Sequence, residues 1–392
     1  MSVFSKKIIL IGVGGGGINA VSNMTVSCPE GPEVIAIDTD SQVLSSCAVP
    51  QQVRIGSIIT DGLSAGGKMD VGGRALESDE LKIRGLFHNV KFVFLVVALG
   101  GGTGTGAAPM IARIAQEEGA MVLSFLTLPF SFEGEQRRRQ AEEGASRIKA
   151  VSDAIIYMPN ERLLEPTERE ESLVNIFERS DLMIGMGVRS LWNLLTYSGI
   201  MNLDFSDIRS VTQEGGCACS FAYAEASGTQ KTKEAIEKIM QSPYLERGNV
   251  LAQAKRLLVG ISGDSNLALK DIQEVMTEIT SVIPGNAHMT MGAAIDDKLE
   301  NQISITVLAS EIAFEEKASE DPEEKTGLLF DDEVLSDIEM ATPKKGPVLQ
   351  QINLNLELAG KEGRFKDVEP TYYHGEDLDI PTFTRCGIKL SN

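Results

Sequence analysis

Short, almost unbroken apolar runs alternate with longer stretches of helical spacing through the first half of the chain. The runs are KIILIGV from Lys7, EVIAID from Glu33, KFVFLVVAL from Lys91, MVLSFLTL from Met121 and AIIYMP from Ala154. A strand apolar at consecutive positions is buried on both faces, so the pattern predicts a parallel sheet covered by helices on either side. The helix after the third run is expected to begin near Ala107 with Pro109 in its first turn. It should face Ile111, Ile114 and Ala115 inward and stop at Gly119. A long helix is predicted from about Ser172 to Tyr197, with Trp192 as a core aromatic.

Beyond that helix a second, α+β domain is expected. Ile272, Val275, Met276 and Ile279 recur at helical spacing, and QISITVL from Gln302 alternates Ile303, Ile305 and Val307 on one strand face. After about Ser310 the chain becomes acidic and aperiodic, and prolines at 322, 343 and 347 interrupt it. Such a segment buries too little apolar surface to offset its conformational entropy, which predicts a disordered linker. The chain closes on a different composition, EDLDIPTFTRCGIKL, an amphipathic patch at the tip of that tail.

Composition narrows the function classes. A chain of 392 residues accommodates more than one domain, and its net charge of -20 argues against nucleic-acid binding, which needs a basic surface. Five scattered cysteines, Cys28, Cys47, Cys217, Cys219 and Cys386, suit reduced thiols of a cytosolic protein better than a disulfide frame. Cys217 and Cys219 lack a second Cys or His cluster, and His88, His288 and His374 are far apart, so small structural thiols are favoured over a metal site. The longest strongly apolar run, Phe92 to Leu99, is far short of the ~20 residues that span a bilayer. A cytoplasmic protein without a signal pattern is expected.

Candidate chemistry enters with two glycine loops. The first, in KKIILIGVGGGGINAV from Lys6, fits Gly12-x-Gly14-x-x-Gly17, and Asp38 follows at the offset of a ribose-binding acid in dinucleotide enzymes. The second, ALGGGTGTGAAP from Ala98 to Pro109, also joins a strand to a helix. Gly100, Gly101, Gly102, Gly104 and Gly106 let backbone amides approach an anion, and Thr103 and Thr105 add hydroxyl donors. One such loop serves a dinucleotide; two converging loops suit a nucleoside triphosphate. No G-x-x-x-x-G-K-[ST] occurs and neither loop carries a lysine, so amides together with Mg²⁺ must neutralise the phosphates.

The run GGGTGTG resembles the signature of the tubulin superfamily, and its surroundings resemble the FtsZ family of bacterial cell-division GTPases. TLPFSFEG from Thr127, MPNERLL from Met158, MNLDFSDI from Met201 and the closing LDIPTF carry the resemblance, which covers roughly Lys6 to Leu308 and reappears at the C-terminus. It implies the tubulin/FtsZ fold: a Rossmann-like parallel-sheet GTPase domain over 1–171, a central connecting helix over 172–200 and a C-terminal α+β activation domain over 201–310. An acidic linker over 311–375 and a partner-binding peptide over 376–392 complete it. GTP or GDP with Mg²⁺ would be bound by Gly14, Gly15, Gly16 and Asn19, by Gly66 and Gly67 near the γ-phosphate, and by Gly101, Gly102, Thr103, Gly104, Thr105, Gly106 and Thr127. Glu133 and Arg137 would grip the ribose, while Phe177 stacks on the base and Asp181 accepts from guanine. Asp38, Lys68-Met69-Asp70 and Asp181 depart from the pattern that the resemblance implies.

Asn202, Asp204 and Asp207 read on their own as helix-capping residues. By the resemblance they belong to a loop that enters the neighbouring subunit's pocket, where the acids act on the attacking water. A head-to-tail filament forming the cytokinetic ring beneath the inner membrane follows, with GTP hydrolysis dependent on assembly. Leu378, Ile380, Pro381, Phe383 and Arg385 would engage membrane tethers and division regulators. The alternatives are a related tubulin-like filament for DNA segregation or cell shape, and an NAD-dependent oxidoreductase built on the opening loop and Asp38.

Overall fold

The computed structural model describes residues 7–27, 31–164, 172–196, 201, 203–212, 219–296, 299–310, 372–373 and 376–377. The five apolar runs form strands β1 (Lys7–Val13), β2 (Glu33–Asp38), β4 (Val90–Ala98), β5 (Met121–Leu128) and β6 (Ala154–Pro159). A short strand without an apolar run, β3 (Gln51–Arg54), pairs with β2. The order β3-β2-β1-β4-β5-β6 is parallel throughout. This doubly wound arrangement reverses its winding between β1 and β4, and ligands of such sheets bind outside the carboxyl ends of the strands at that switch point. Both glycine loops leave from those two strands.

Each face of the parallel sheet has its own core. Leu10, Phe92, Phe94, Leu123 and Phe125 pack on one side against the helix Leu173–Thr196, through Ile184, Val188, Leu191 and Leu195. Ile9, Ile11, Val93, Leu95 and Val97 pack on the other side against Ile111 and Ile114 of the helix Gly102–Glu117. The long helix Leu173–Thr196 lies within one residue of the span expected from Ser172 to Tyr197, and residues 197–200 lie outside the described residues. Trp192 is half-buried and packs against the first of these cores.

The second half adds β7 (Cys219–Ser227), β8 (Arg256–Gly263), β9 (His288–Ile295) and β10 (Gln302–Ser310). Here β10 runs antiparallel to both β7 and β8, whereas β9 is parallel to β8. These strands close a third core around Ile236, Leu257, Val259, Val275, Ile303 and Ile305. The expected second α+β layer is thus present, but it is not a separate sheet. The pairing Ile156↔Cys219 joins it to β6, so one ten-stranded sheet runs through both halves.

Two further strands, β11 (Tyr372–Tyr373) and β12 (Glu376–Asp377), pair antiparallel with each other and belong to a second unit, Pro322–Asn392. The rest of the expected linker, and Leu378, Ile380, Pro381, Phe383 and Arg385 of the expected terminal peptide, lie outside the described residues. Among the described residues, no helix is long and apolar enough to cross a membrane.

Candidate nucleotide site

Helices begin at Gly14, directly after β1, and at Gly102, shortly after β4. The first amides of a helix have no intrahelical partner and carry the positive end of its dipole, so two anion-binding termini face one cleft. They meet closely. Gly14 has a φ of +74°, and a Cβ there would sit 2.8 Å from the Gly104 backbone nitrogen. Gly17 lies against β4, where a Cβ would sit 2.5 Å from the Val96 carbonyl oxygen. Only glycine gives this turn and this approach.

The second helix starts five residues earlier than its composition suggests, which places Pro109 inside it. The reason is packing. The helix Met69–Ser78 lies so close that a Cβ on Gly106 would fall 2.0 Å from the Met69 carbonyl, and one on Gly72 would fall 2.3 Å from the Gly102 carbonyl. Residues of low helix propensity are held helical by that contact, which overrides their local preference. Gly119 follows the helix end with a φ of +82°, as expected of a stop.

The cleft between these termini has a volume of about 360 Å³ and is lined by Gly14, Gly15, Gly16, Asn19, Gly66, Gly67, Gly101, Gly102, Thr103, Gly104, Thr127, Glu133, Arg137, Phe177 and Asp181. Two expected members are absent from its lining. Thr105 is fully buried, and its hydroxyl accepts from the Gly100 amide at 2.9 Å, so it braces the loop from behind. Gly106 is spent on the helix contact already described.

At one end of the cleft, Glu133 accepts from the Phe130 amide at 2.8 Å and pairs with Arg137 at 3.1 Å. The pair is therefore fixed to the loop and is not a free surface ion pair. Phe177 stands edge-on to the buried Phe130, with ring centroids 5.3 Å apart, and is 40% exposed. That leaves it open for stacking. Burial, helped by the charge of Glu178, pushes the half-buried Asp181 carboxyl up to about 7.

Asp38 is buried, and the same desolvation raises its carboxyl. Amide bonds from Asp40 and Thr39 and the hydroxyls of Thr103 and Thr39 pull it back down. Thr39 and Thr103 link their hydroxyls at 3.0 Å, tying the β2 loop to the second glycine loop.

Sequence reasoning missed Asn160 and Ser180, which also line the cleft; the Ser180 hydroxyl donates to Asn160 Oδ1 at 2.8 Å. Asn160 lies within MPNERLL, so the motif was visible but the residue's contribution was not.

Asp204 and Asp207 are not in the cleft. Asp204 Oδ1 accepts from the amides of Ser206 at 2.7 Å and Asp207 at 3.1 Å, and Asp207 Oδ2 accepts from the Asp204 amide at 2.8 Å. This reciprocal cap opens the helix Phe205–Thr212. Ser206 and the neighbouring amide hold the Asp204 carboxyl below its usual range. Asn202 lies outside the described residues.

The profile of the Tubulin/FtsZ family GTPase domain matches residues 7–168, and that of the FtsZ family C-terminal domain matches residues 217–313. The cell division protein FtsZ of Aquifex aeolicus is 37% identical over 305 residues, covering 78% of this chain and 83% of that one. The chain belongs to the FtsZ family. The FtsZ of Buchnera aphidicola is likewise 37% identical, over 78% of this chain and 79% of its own. Among solved structures, an empty FtsZ dimer from M. jannaschii matches with a TM-score of 0.71 and 32% identity, covering 79% of this chain and 89% of that one. A GTPγS-bound CetZ2 protofilament from Haloferax volcanii shares the fold, with a TM-score of 0.65 at 21% identity over 79% of this chain and 94% of its own. As an FtsZ-family GTPase, this chain leaves no ground for the dinucleotide alternative.

Proposed function

We propose that this chain binds and hydrolyses GTP within head-to-tail filaments that serve cell division, each active site being completed by two subunits. The observation that carries the proposal is that the acidic cap and the second glycine loop lie at opposite ends of β4. Phe205, next to Asp204, stacks on Phe92 near the start of β4, and Gly100 to Gly102 follow its end. Eight residues of strand separate them, roughly 26 Å. One molecule's acids cannot reach its own phosphates, whereas stacking subunits along the strand direction brings them to a neighbour's cleft. Such a heterologous contact repeats into an open filament.

In this reading Gly14, Gly15, Gly16, Gly101, Gly102, Thr103 and Gly104 hold the phosphates, with Gly66 and Gly67 at the γ-phosphate. Glu133 and Arg137 hold the ribose, and Phe177 and Asp181 hold guanine. Asn19 and Thr127 line the same cleft.

The cleft also fits Mg²⁺. Arg137 is the one basic residue in its described lining, against the carboxylates of Asp38, Asp40, Glu133 and Asp181. Asp38, Asp40 and the Thr103 hydroxyl are hard oxygen donors beside the phosphate termini, the chemistry that this ion prefers. When bound, the ion offsets charge on the β- and γ-phosphates. The neighbour's Asp204 and Asp207 position and polarise the attacking water.

The closing peptide, through Leu378, Ile380, Pro381, Phe383 and Arg385, is assigned to membrane tethers and division regulators, which gather cytoplasmic filaments at the division site. Many weak tails on one filament act together. The test is the GTPase rate against protein concentration. A rate that rises more steeply than linearly, with a threshold, is expected; strict proportionality would remove the shared site.

A further inference from the structure

Tyr244 is the largest fully buried side chain among the described residues, and it comes from the second half of the chain, in a 3-10 turn over Pro243–Gly248. Its hydroxyl has no aligned hydrogen-bond partner among the described residues, although the Ser180 hydroxyl faces it. A buried phenol normally finds such a partner. Its backbone is firmly held: the Tyr244 carbonyl accepts from Arg162 at 3.0 Å, and the same guanidinium pairs with Glu246 at 2.7 Å and donates to Ser220 at 3.1 Å. Glu246 and Arg247 both have left-handed backbones, with φ of +48° and +55°, a strained conformation for non-glycine residues. Arg162 belongs to the segment Asn160–Leu163 that begins with the cleft residue Asn160. Both ends of Tyr244 therefore face the wall of the cleft from outside it.

We propose that Tyr244 is a positioning residue for purine recognition, acting through Ser180 on Asn160. The inference rests on the nucleotide reading given above. When the site is filled, the phenol donates to Ser180 Oγ, whose own proton is already committed to Asn160 Oδ1. With its oxygen occupied, Asn160 presents its amide N–H groups to the base. Those donors match a keto oxygen on the purine and oppose an exocyclic amine at the same place. Asp181 supplies the complementary acceptor for guanine's N–H groups. The second half of the chain thereby takes part in choosing the base without touching it. Tyr244 does not contact the nucleotide and plays no part in the hydrolysis step.

The test uses the full chain and its Tyr244→Phe, Ser180→Ala and doubly substituted variants. GDP binding is measured by calorimetry, with ADP as a competitor, alongside GTP turnover at one fixed protein concentration. Tyr244→Phe keeps the ring and so keeps the core. It is expected to weaken GDP roughly three- to tenfold, the effect of one hydrogen bond, while ADP changes less than about twofold. KM for GTP should rise while kcat holds. The double variant should bind GDP no more weakly than Ser180→Ala alone, because the two residues form one chain.

Equal weakening of GDP and ADP would show a purely structural role and overturn the proposal. So would an unchanged preference for GDP in Tyr244→Phe, or additive losses in the double variant. A natural chain that binds neither nucleotide, or prefers ADP, would overturn the nucleotide reading itself. Tyr244 alone is overturned when the natural chain selects GDP and the variants do so equally well.

Discussion

The ring of Phe205 lies 4.5 Å from that of Phe92, the two planes inclined by only 24°, and this stack fixes the acidic cap at the amino end of the strand whose carboxyl end leads into the second glycine loop. Asp207→Ala removes one half of that cap as well as a proposed hydrolytic group. Loss of a helix cap costs about 1 kcal/mol, which a domain of this size tolerates. Assembly with GTP is therefore expected to persist, while turnover falls at least ~100-fold and filaments disassemble slowly. Light scattering and phosphate release on the same sample check this; normal turnover would move the hydrolytic role elsewhere.

Gly101 offers the complementary lesion. A Cβ there meets nothing within 4 Å, and its φ of -86° suits any residue at a helix N-cap. Gly101→Asp should fold with stability within about 1 kcal/mol of the natural chain, because the new carboxylate caps the helix Gly102–Glu117. The same carboxylate occupies the amides proposed for phosphate and adds negative charge beside them. Nucleotide binding should fall beyond calorimetric detection. Mixed in equal amounts with Asp207→Ala, it should restore about a quarter of the natural turnover, the share of junctions with both halves intact when assembly is random. No recovery on mixing would count against a site built from two subunits.

Gly17 tests packing and not charge. Its missing Cβ would meet the Val96 carbonyl at 2.5 Å, a backbone atom that cannot swing away. Gly17→Ala is expected to destabilise the protein by roughly 1–3 kcal/mol. Denaturant unfolding measures this, and GDP binding should weaken with it, because the helix proposed to hold phosphate starts only three residues earlier, at Gly14.

The parts of this molecule that were legible in its sequence are those with a one-dimensional signature. The five double-buried strands announce themselves through unbroken apolar runs, and both glycine loops announce themselves through density. β3 was not legible: QQVR carries one buried residue, Val53, and owes its strand to pairing with β2. β7 and β9 are rich in alanine and methionine and lack the β-branched runs that mark a strand. The helical state of Gly102 to Gly106 was hidden because a neighbouring helix imposes it against local propensity. The junction Ile156↔Cys219 joins residues 63 apart in the chain, a long-range pairing that no local pattern records. Asn160 and Ser180 were missed for a similar reason. Each is an ordinary polar residue until the fold sets one against the other.

Asp181 makes the site sensitive to pH in a definite direction. Its carboxyl is raised to about 7 in the folded chain from a usual value near 3.8. The folded state thus holds a proton that the unfolded state has released. The stability contributed by this group is complete below about pH 4 and is lost as pH rises through about 7. Nucleotide binding runs the opposite way, because only the ionised carboxylate accepts from both of guanine's N–H groups. GDP affinity should therefore increase between pH 6 and 8, and binding should release protons within that window. Calorimetry in buffers of different ionisation enthalpy reads both effects at once. Asp181→Asn should bind GDP more weakly and without that pH dependence; a variant that kept the dependence would place the titrating group elsewhere in the cleft.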